Sequence, residues 1–219
     1  MRIWLLLSAL VILVPAGAAR AADYTVEPVR EAAPSDALAG DVAAQIAPTG
    51  FKVLQGKRTI CEIWPAKKWS IKSDFTPSDS VLYPLVPGSL AGVIRFPRKG
   101  ADFRGQDIAG GVYTLRYANQ PVDGNHVGTF ATRDFLLMVP ASDDTSAAAI
   151  AETDLFKTSA TAAGSTHPAI MPLVKGDAAS PLPALRHLEE QDWWTARFAD
   201  GSGDDKVVLE LIVVGKAAE

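Results

Sequence analysis

The chain has 219 residues, of which 48% are hydrophobic and 21% charged, with a net charge of −4. This is ordinary globular composition, and the acidic balance argues against nucleic acid as a partner, since phosphates need a basic face. One cysteine, Cys61, excludes an intramolecular disulfide, so stability has to come from a packed core.

In chain order, Arg2 precedes the apolar run IWLLLSALVILV at 3–14, then Pro15, Gly17 and the small-residue sequence Ala19-Arg20-Ala21. This pattern predicts a secretory signal peptide over residues 1–21. The apolar run is shorter than the roughly 20 residues a membrane span needs. The expected destination is the periplasm or the exterior, with no transmembrane segment after cleavage. No cysteine near the cleavage point invites a lipid anchor. Losing Arg2 and Arg20 takes the net charge from −4 to −6.

Residues 22–50 read as a lead-in plus a short helix. The stretch 22–34 is expected to be extended and poorly ordered. Ser35 stands where an N-cap would, and Leu38, Val42 and Ile46 recur every four residues before Pro48 and Gly50. A hairpin of 51–55 and 58–64 turns at Gly56 and stops at Pro65. Residues 69–72 form a short strand at most, 74–89 a loop with an edge strand no longer than 81–83, and 90–96 a strand ended by Pro97. The segment 99–111 is polar and glycine-rich. Tyr113, Leu115 and Tyr117 then alternate with Val112, Thr114 and Arg116, the period of a half-buried strand. Residues 134–139 are apolar on both faces, as in a central strand covered on both sides.

Beyond Pro140, Ser142 or Asp143 would cap a helix through Ala147–Ile150, and a second turn or helix covers 155–163, stopped by Gly164. A short strand at 170–174 and the proline-rich SPLPAL lead to a final hairpin of 193–198 with 206–214. The whole predicts a mainly β protein. The expected fold is an antiparallel β-sandwich, jelly-roll or immunoglobulin-like, with short peripheral helices. A single domain would run over 51–219 with a helical insertion near 142–164.

The sixteen residues 118–133 between the two best strands are too many for a tight hairpin, and structureless loops of that length are usually functional or disordered. Candidate ligand-binding residues are Arg116, Asp123, Asn125, His126 and Arg133. In a purely structural reading, Asp123 and Asn125 bond local backbone, Gly124 takes a positive φ, and Arg116 pairs with Asp123 or Asp134. An alternative assigns a divalent transition metal to Asp123, His126 and His167, with Met138 and Met171 extending it to copper. Cys61 reads as a small buried hydrophobe, set against a nucleophile. His187, between Arg186 and the acids Glu189 and Glu190, reads as solvated. Trp193 and Trp194 must face opposite sides of a strand, leaving one to stack on a sugar or a partner. Serine-hydrolase, nucleotide-binding and zinc-protease signatures are absent.

The run GGVYTLRYANQPVDGNHVGT, with DFLLMVPASDD after it and GSTHPAIMPL further on, resembles a family of uncharacterised secreted bacterial proteins. DGNH is the most specific part of the likeness, which extends over most of the chain after residue 21. The resemblance implies a secreted domain and carries over no activity, cofactor or site residue. The expectation is thus an exported, non-catalytic module without a cofactor, binding a small ligand or an envelope protein. A metal-dependent enzyme or carrier, and a structural envelope protein, are the alternatives.

Overall fold

The computed structural model describes residues 24–124, 126, 129–176, 181–203 and 207–217. The expected signal peptide and its cleavage point lie outside these residues, as does Asn125. The chain runs β1 (Tyr24–Val29), α1 (Gly40–Gln45), β2 (Gly50–Gln55), β3 (Arg58–Pro65) and β4 (Leu90–Phe96). A two-residue pair, β5 (Gly100–Ala101) and β6 (Asp107–Ile108), precedes β7 (Gly111–Asn119) and β8 (Asp134–Pro140). Then come α2 (Glu152–Ala162), β9 (Ile170–Pro172), β10 (Ala184–Leu188), β11 (Trp193–Phe198) and β12 (Leu209–Val214).

Seven strands form one antiparallel sheet in the order β1-β2-β3-β4-β7-β8-β9, and β10-β11-β12 form a second. The large sheet curls until both of its edges meet the small one. At one edge Leu173, just past β9, bridges Leu211, and the Val174 N–H donates to the Glu210 carbonyl at 2.9 Å. At the other, β1 lies against β10, with the Tyr24 ring 5.1 Å from that of Trp194. The mainly β, antiparallel class with few helices is as expected. Neighbours in the large sheet follow chain order apart from the β5–β6 excursion, which differs from the Greek-key order of jelly-roll and immunoglobulin-like sandwiches.

Cross-strand partners share a face, so the register sorts the side chains. Phe51 and Val53 face Ile63 and Cys61; Ile94 faces Tyr113; Leu115 and Tyr117 face Met138 and Leu136. All belong to the main core. Ala118, Leu137, Phe135 and Val139 turn outward, where Leu155 of α2 covers them as a second cluster. β8 is accordingly buried on both faces, with Pro140 alone less than buried.

Local chemistry explains the elements that differ from expectation. Residues 24–29 are a strand paired along its length with β2, where a poorly ordered lead-in was expected. Pro28 suits an edge, where one N–H has no partner to reach. Ser35 opens a single 3₁₀ turn and caps nothing, while α1 begins after Ala39. Its stripe of Leu38, Val42 and Ile46 is nevertheless buried. No helix forms at 142–150, because Arg116 draws the Ser146 and Ala148 carbonyls to its guanidinium. Carbonyls aimed sideways cannot accept from the turn above. α2 itself ends as expected at Gly164, with φ +57°. Gly164 N–H donates to the Thr161 carbonyl and Ser165 N–H to that of Ala160, the bond pair of a Schellman cap. No strand forms at 69–72 or 81–83; Ile71 makes an isolated bridge with Leu85, flanked by the Lys72 N–H bond to the Pro84 carbonyl at 2.8 Å and the Val86 N–H bond to the Ser70 carbonyl at 2.9 Å. β10 forms where only a proline-rich connector was expected.

Candidate functional site

The loop after β7 is held shut at its base. Gln120 N–H donates to the Arg133 carbonyl at 2.8 Å, and Arg133 Nε returns a bond to the Gln120 carbonyl at 2.7 Å. Arg133 is therefore a clamp at the loop's root. Further out, Asp123 Oδ1 accepts from His126 N–H at 3.2 Å and lies 2.7 Å from His126 Nδ1. This is the local turn that the Asp-Gly-Asn-His spacing predicts, with one correction. Gly124 does not adopt a positive φ, and nothing lies within 4 Å of where its Cβ would be. The turn rests on the Asp123 carboxylate and not on glycine's conformational freedom.

Arg116 lies elsewhere. Its side chain is fully buried, Nε and Nη2 grip both Asp144 carboxylate oxygens at 2.8 and 2.7 Å, and the remaining donors reach the Gly88, Ala148 and Ser146 carbonyls. All five guanidinium N–H groups are used. The candidate ligand residue thus has no donor to offer, and its carboxylate partner is Asp144, neither Asp123 nor Asp134. Asp134 is also interior: it accepts from Tyr117 Oη at 2.5 Å and from Leu82 N–H at 2.8 Å. Burial pushes its carboxyl above the usual carboxylate range, opposed by the Tyr117, Leu82 and Tyr83 hydrogen bonds.

His126 and His167 do come to one place. Between α2 and the outward face of β7–β9 lies a cleft of about 600 Å³, within the range of small-molecule sites. Its floor is apolar: Ala118 and Phe135 and Leu137 of the sheet, Phe156 and Ala160 of α2, and Ile170 of β9. Around the rim stand His126, His167, Arg104 and Lys157, and among the described residues no carboxylate lines the cleft. The His167 turn is fixed by Ser165, whose Oγ accepts from His167 N–H at 3.0 Å and donates to Gln106 Oε1 at 2.5 Å. Gln106 is anchored in turn on buried Asp102 at 2.9 Å.

The metal alternative needs Asp123, His126 and His167 at one point. Asp123 is engaged by His126 Nδ1, an outer-shell position, which leaves two imidazoles where a catalytic zinc keeps three protein ligands. Among the described residues, no three His, Cys, Asp or Glu stand close enough to hold an ion. Met138 and Met171 are buried on the core face, Met171 opposite Leu136, while its neighbour Ile170 faces the cleft.

The remaining candidates have structural places. Burial pushes the Cys61 thiol up to about 12, with Glu62 adding to the rise, so it is no nucleophile at neutral pH. His187 is not freely solvated: Nε2 lies 2.8 Å from Asp192 Oδ1, and its ring stacks on Trp194 at 4.5 Å. Trp193 and Trp194 do face opposite ways. Trp193 packs with Phe103 and Phe130, and Trp194 with Tyr24 and His187. Both are partly exposed, and each already packs against two other rings.

Sequence reasoning missed Arg104 and Lys157, one in a polar glycine-rich segment and one on a short helix. One signal was present: Lys157 is the single Lys or Arg between Arg133 and Lys175. No described helix is long and apolar enough to cross a membrane, which says nothing of spans made by strands. No family model matches the chain, nor does any curated protein or solved structure.

Proposed function

We propose that this protein is an exported, non-catalytic binding module that holds a small organic ligand in the cleft between α2 and the outward face of β7–β9. One observation carries the reading: a concave, apolar-floored cavity of about 600 Å³ lies against the loop after β7 and is rimmed by polar groups. A partner protein would call for a flatter contiguous apolar patch. Export is supported by the Arg2, apolar-run and Ala19-Arg20-Ala21 pattern of the first 21 residues.

The test is binding of N-phenyl-1-naphthylamine, an uncharged apolar dye, followed by its fluorescence. Wild-type protein should bind one dye per chain saturably. Ala160→Trp and Ala118→Trp, which fill the floor from the helix side and the sheet side, should each weaken binding at least tenfold, at a cost in stability of about 1–3 kcal/mol. Undiminished binding by both variants, or none by the wild type, sinks the proposal.

A further inference from the structure

Resting on that reading of the cleft, we infer that its ligand is an organic anion: an apolar body seated on the Phe135–Leu137–Phe156 floor, with a carboxylate or phosphate head at the Arg104–Lys157 rim. The argument is electrostatic. The chain as a whole is acidic, yet among the described residues the cleft is lined by Arg104, Lys157 and two histidines and by no acid. Among the described residues, the Arg104 guanidinium, the Lys157 ammonium and the His167 ring have no hydrogen-bond or ion-pair partner.

The carboxylates around the cleft are in the opposite condition. Asp102 accepts from the N–H groups of Arg104, Gln106 and Ile170 and from the Gln106 amide. Asp123 is engaged by His126, and Asp143 accepts from Ser142 and Thr161. The carboxylates of Asp102, Asp123 and Asp143 are thus already hydrogen-bonded, whereas the cations at the rim are not; Asp154, one turn before Lys157 on α2, is not among the residues lining the cleft. The C-terminal end of α2, which borders the cleft, carries partial negative charge and opposes an anion by a fraction of a unit charge. Its Thr161 and Ala160 carbonyls are taken up by Gly164 and Ser165, and two full cations outweigh it. A rim that repels cations, is indifferent to neutral bodies and attracts anions selects by head-group charge, while the floor selects by apolar length.

The inference is tested by calorimetric titration of wild-type protein at low salt with octanoate, octyl phosphate, octanol and octylammonium, beside the neutral dye. At least one of the two anions should bind about tenfold or more tightly than octanol, and octylammonium the most weakly. Comparing octanoate with octyl phosphate identifies the head group. Arg104→Ala and Lys157→Ala are both exposed changes. Each should weaken the anion severalfold and octanol and the dye much less, with the anion's advantage shrinking at high salt. Octanol equal to both anions, octylammonium tightest, or no effect of either substitution overturns the anion inference. So does dye binding without binding of any octyl compound. In those outcomes the dye still reports an intact cleft, whereas loss of dye binding would fell both readings together.

Discussion

A guanidinium placed where no water reaches must find five acceptors. Arg116 finds them in the two oxygens of Asp144 and the carbonyls of Gly88, Ser146 and Ala148. The group thereby ties the segments around Gly88 and 144–148 to the middle of β7. Replacing it by Lys keeps the charge but supplies three donors and no planar fork. Arg116→Met removes the charge and leaves the Asp144 carboxylate buried. The expected loss is about 3–5 kcal/mol for Met and less for Lys, read as the shift in urea midpoint. Asp134 carries a different signature. Burial raises its folded carboxyl above the unfolded value, so the folded chain holds that proton over a pH range where the unfolded chain has released it. The resulting stability is present in acid and drains away as pH rises from about 4 through the folded value. Asparagine mimics the protonated form and cannot release it. The stability of wild type relative to Asp134→Asn should therefore fall between pH 4 and pH 7. A flat difference across that range contradicts the assignment.

Elements were legible where their pattern was local. β7 and β8 announce themselves because Tyr113, Leu115 and Tyr117 alternate and because 134–139 is apolar on both faces. α2 announces its end because Gly164 must take the left-handed conformation. The helix expected at 142–150 fails for a reason no local pattern contains, since the group that takes its carbonyls lies in β7. β1 and β10 were illegible because they are short, bordered or interrupted by proline, and placed by partners far away in the chain. The site divides in the same way. The chemistry of His126 and His167 could be read from the chain, but Arg104 and Lys157 acquire meaning only once α2 lies across β8. Leu155 holds it there, buried against Phe135, Leu137 and Val139. Leu155→Ala should cost about 2–5 kcal/mol. It should also weaken N-phenyl-1-naphthylamine binding, because the helix supplies one wall of the cleft. Lost stability with unchanged dye affinity would show that the wall does not depend on this anchor.

In the whole molecule, the ring of strands is completed by contacts of two kinds. Most neighbours are joined by backbone ladders, but β1 and β10 meet through the Tyr24–Trp194–His187 stack. Contacts between distant parts of a chain form late, because closing the intervening loop costs entropy. Trp194→Ala should thus speed unfolding and leave the folding rate nearly unchanged, which stopped-flow chevrons in urea would show. A comparable slowing of folding would place this stack in the transition state instead. The Leu173–Leu211 bridge has a consequence for the order of assembly. As the chain leaves the ribosome, β1 to β9 can zip together, each strand beside one recently made. Yet Phe51 and Trp69 gain Phe198, and Leu173 gains Leu211, only when the last strands arrive. A nascent chain that has reached residue 176 carries a paired sheet with an uncovered apolar face. The final hairpin decides whether that sheet becomes a protein or an aggregate.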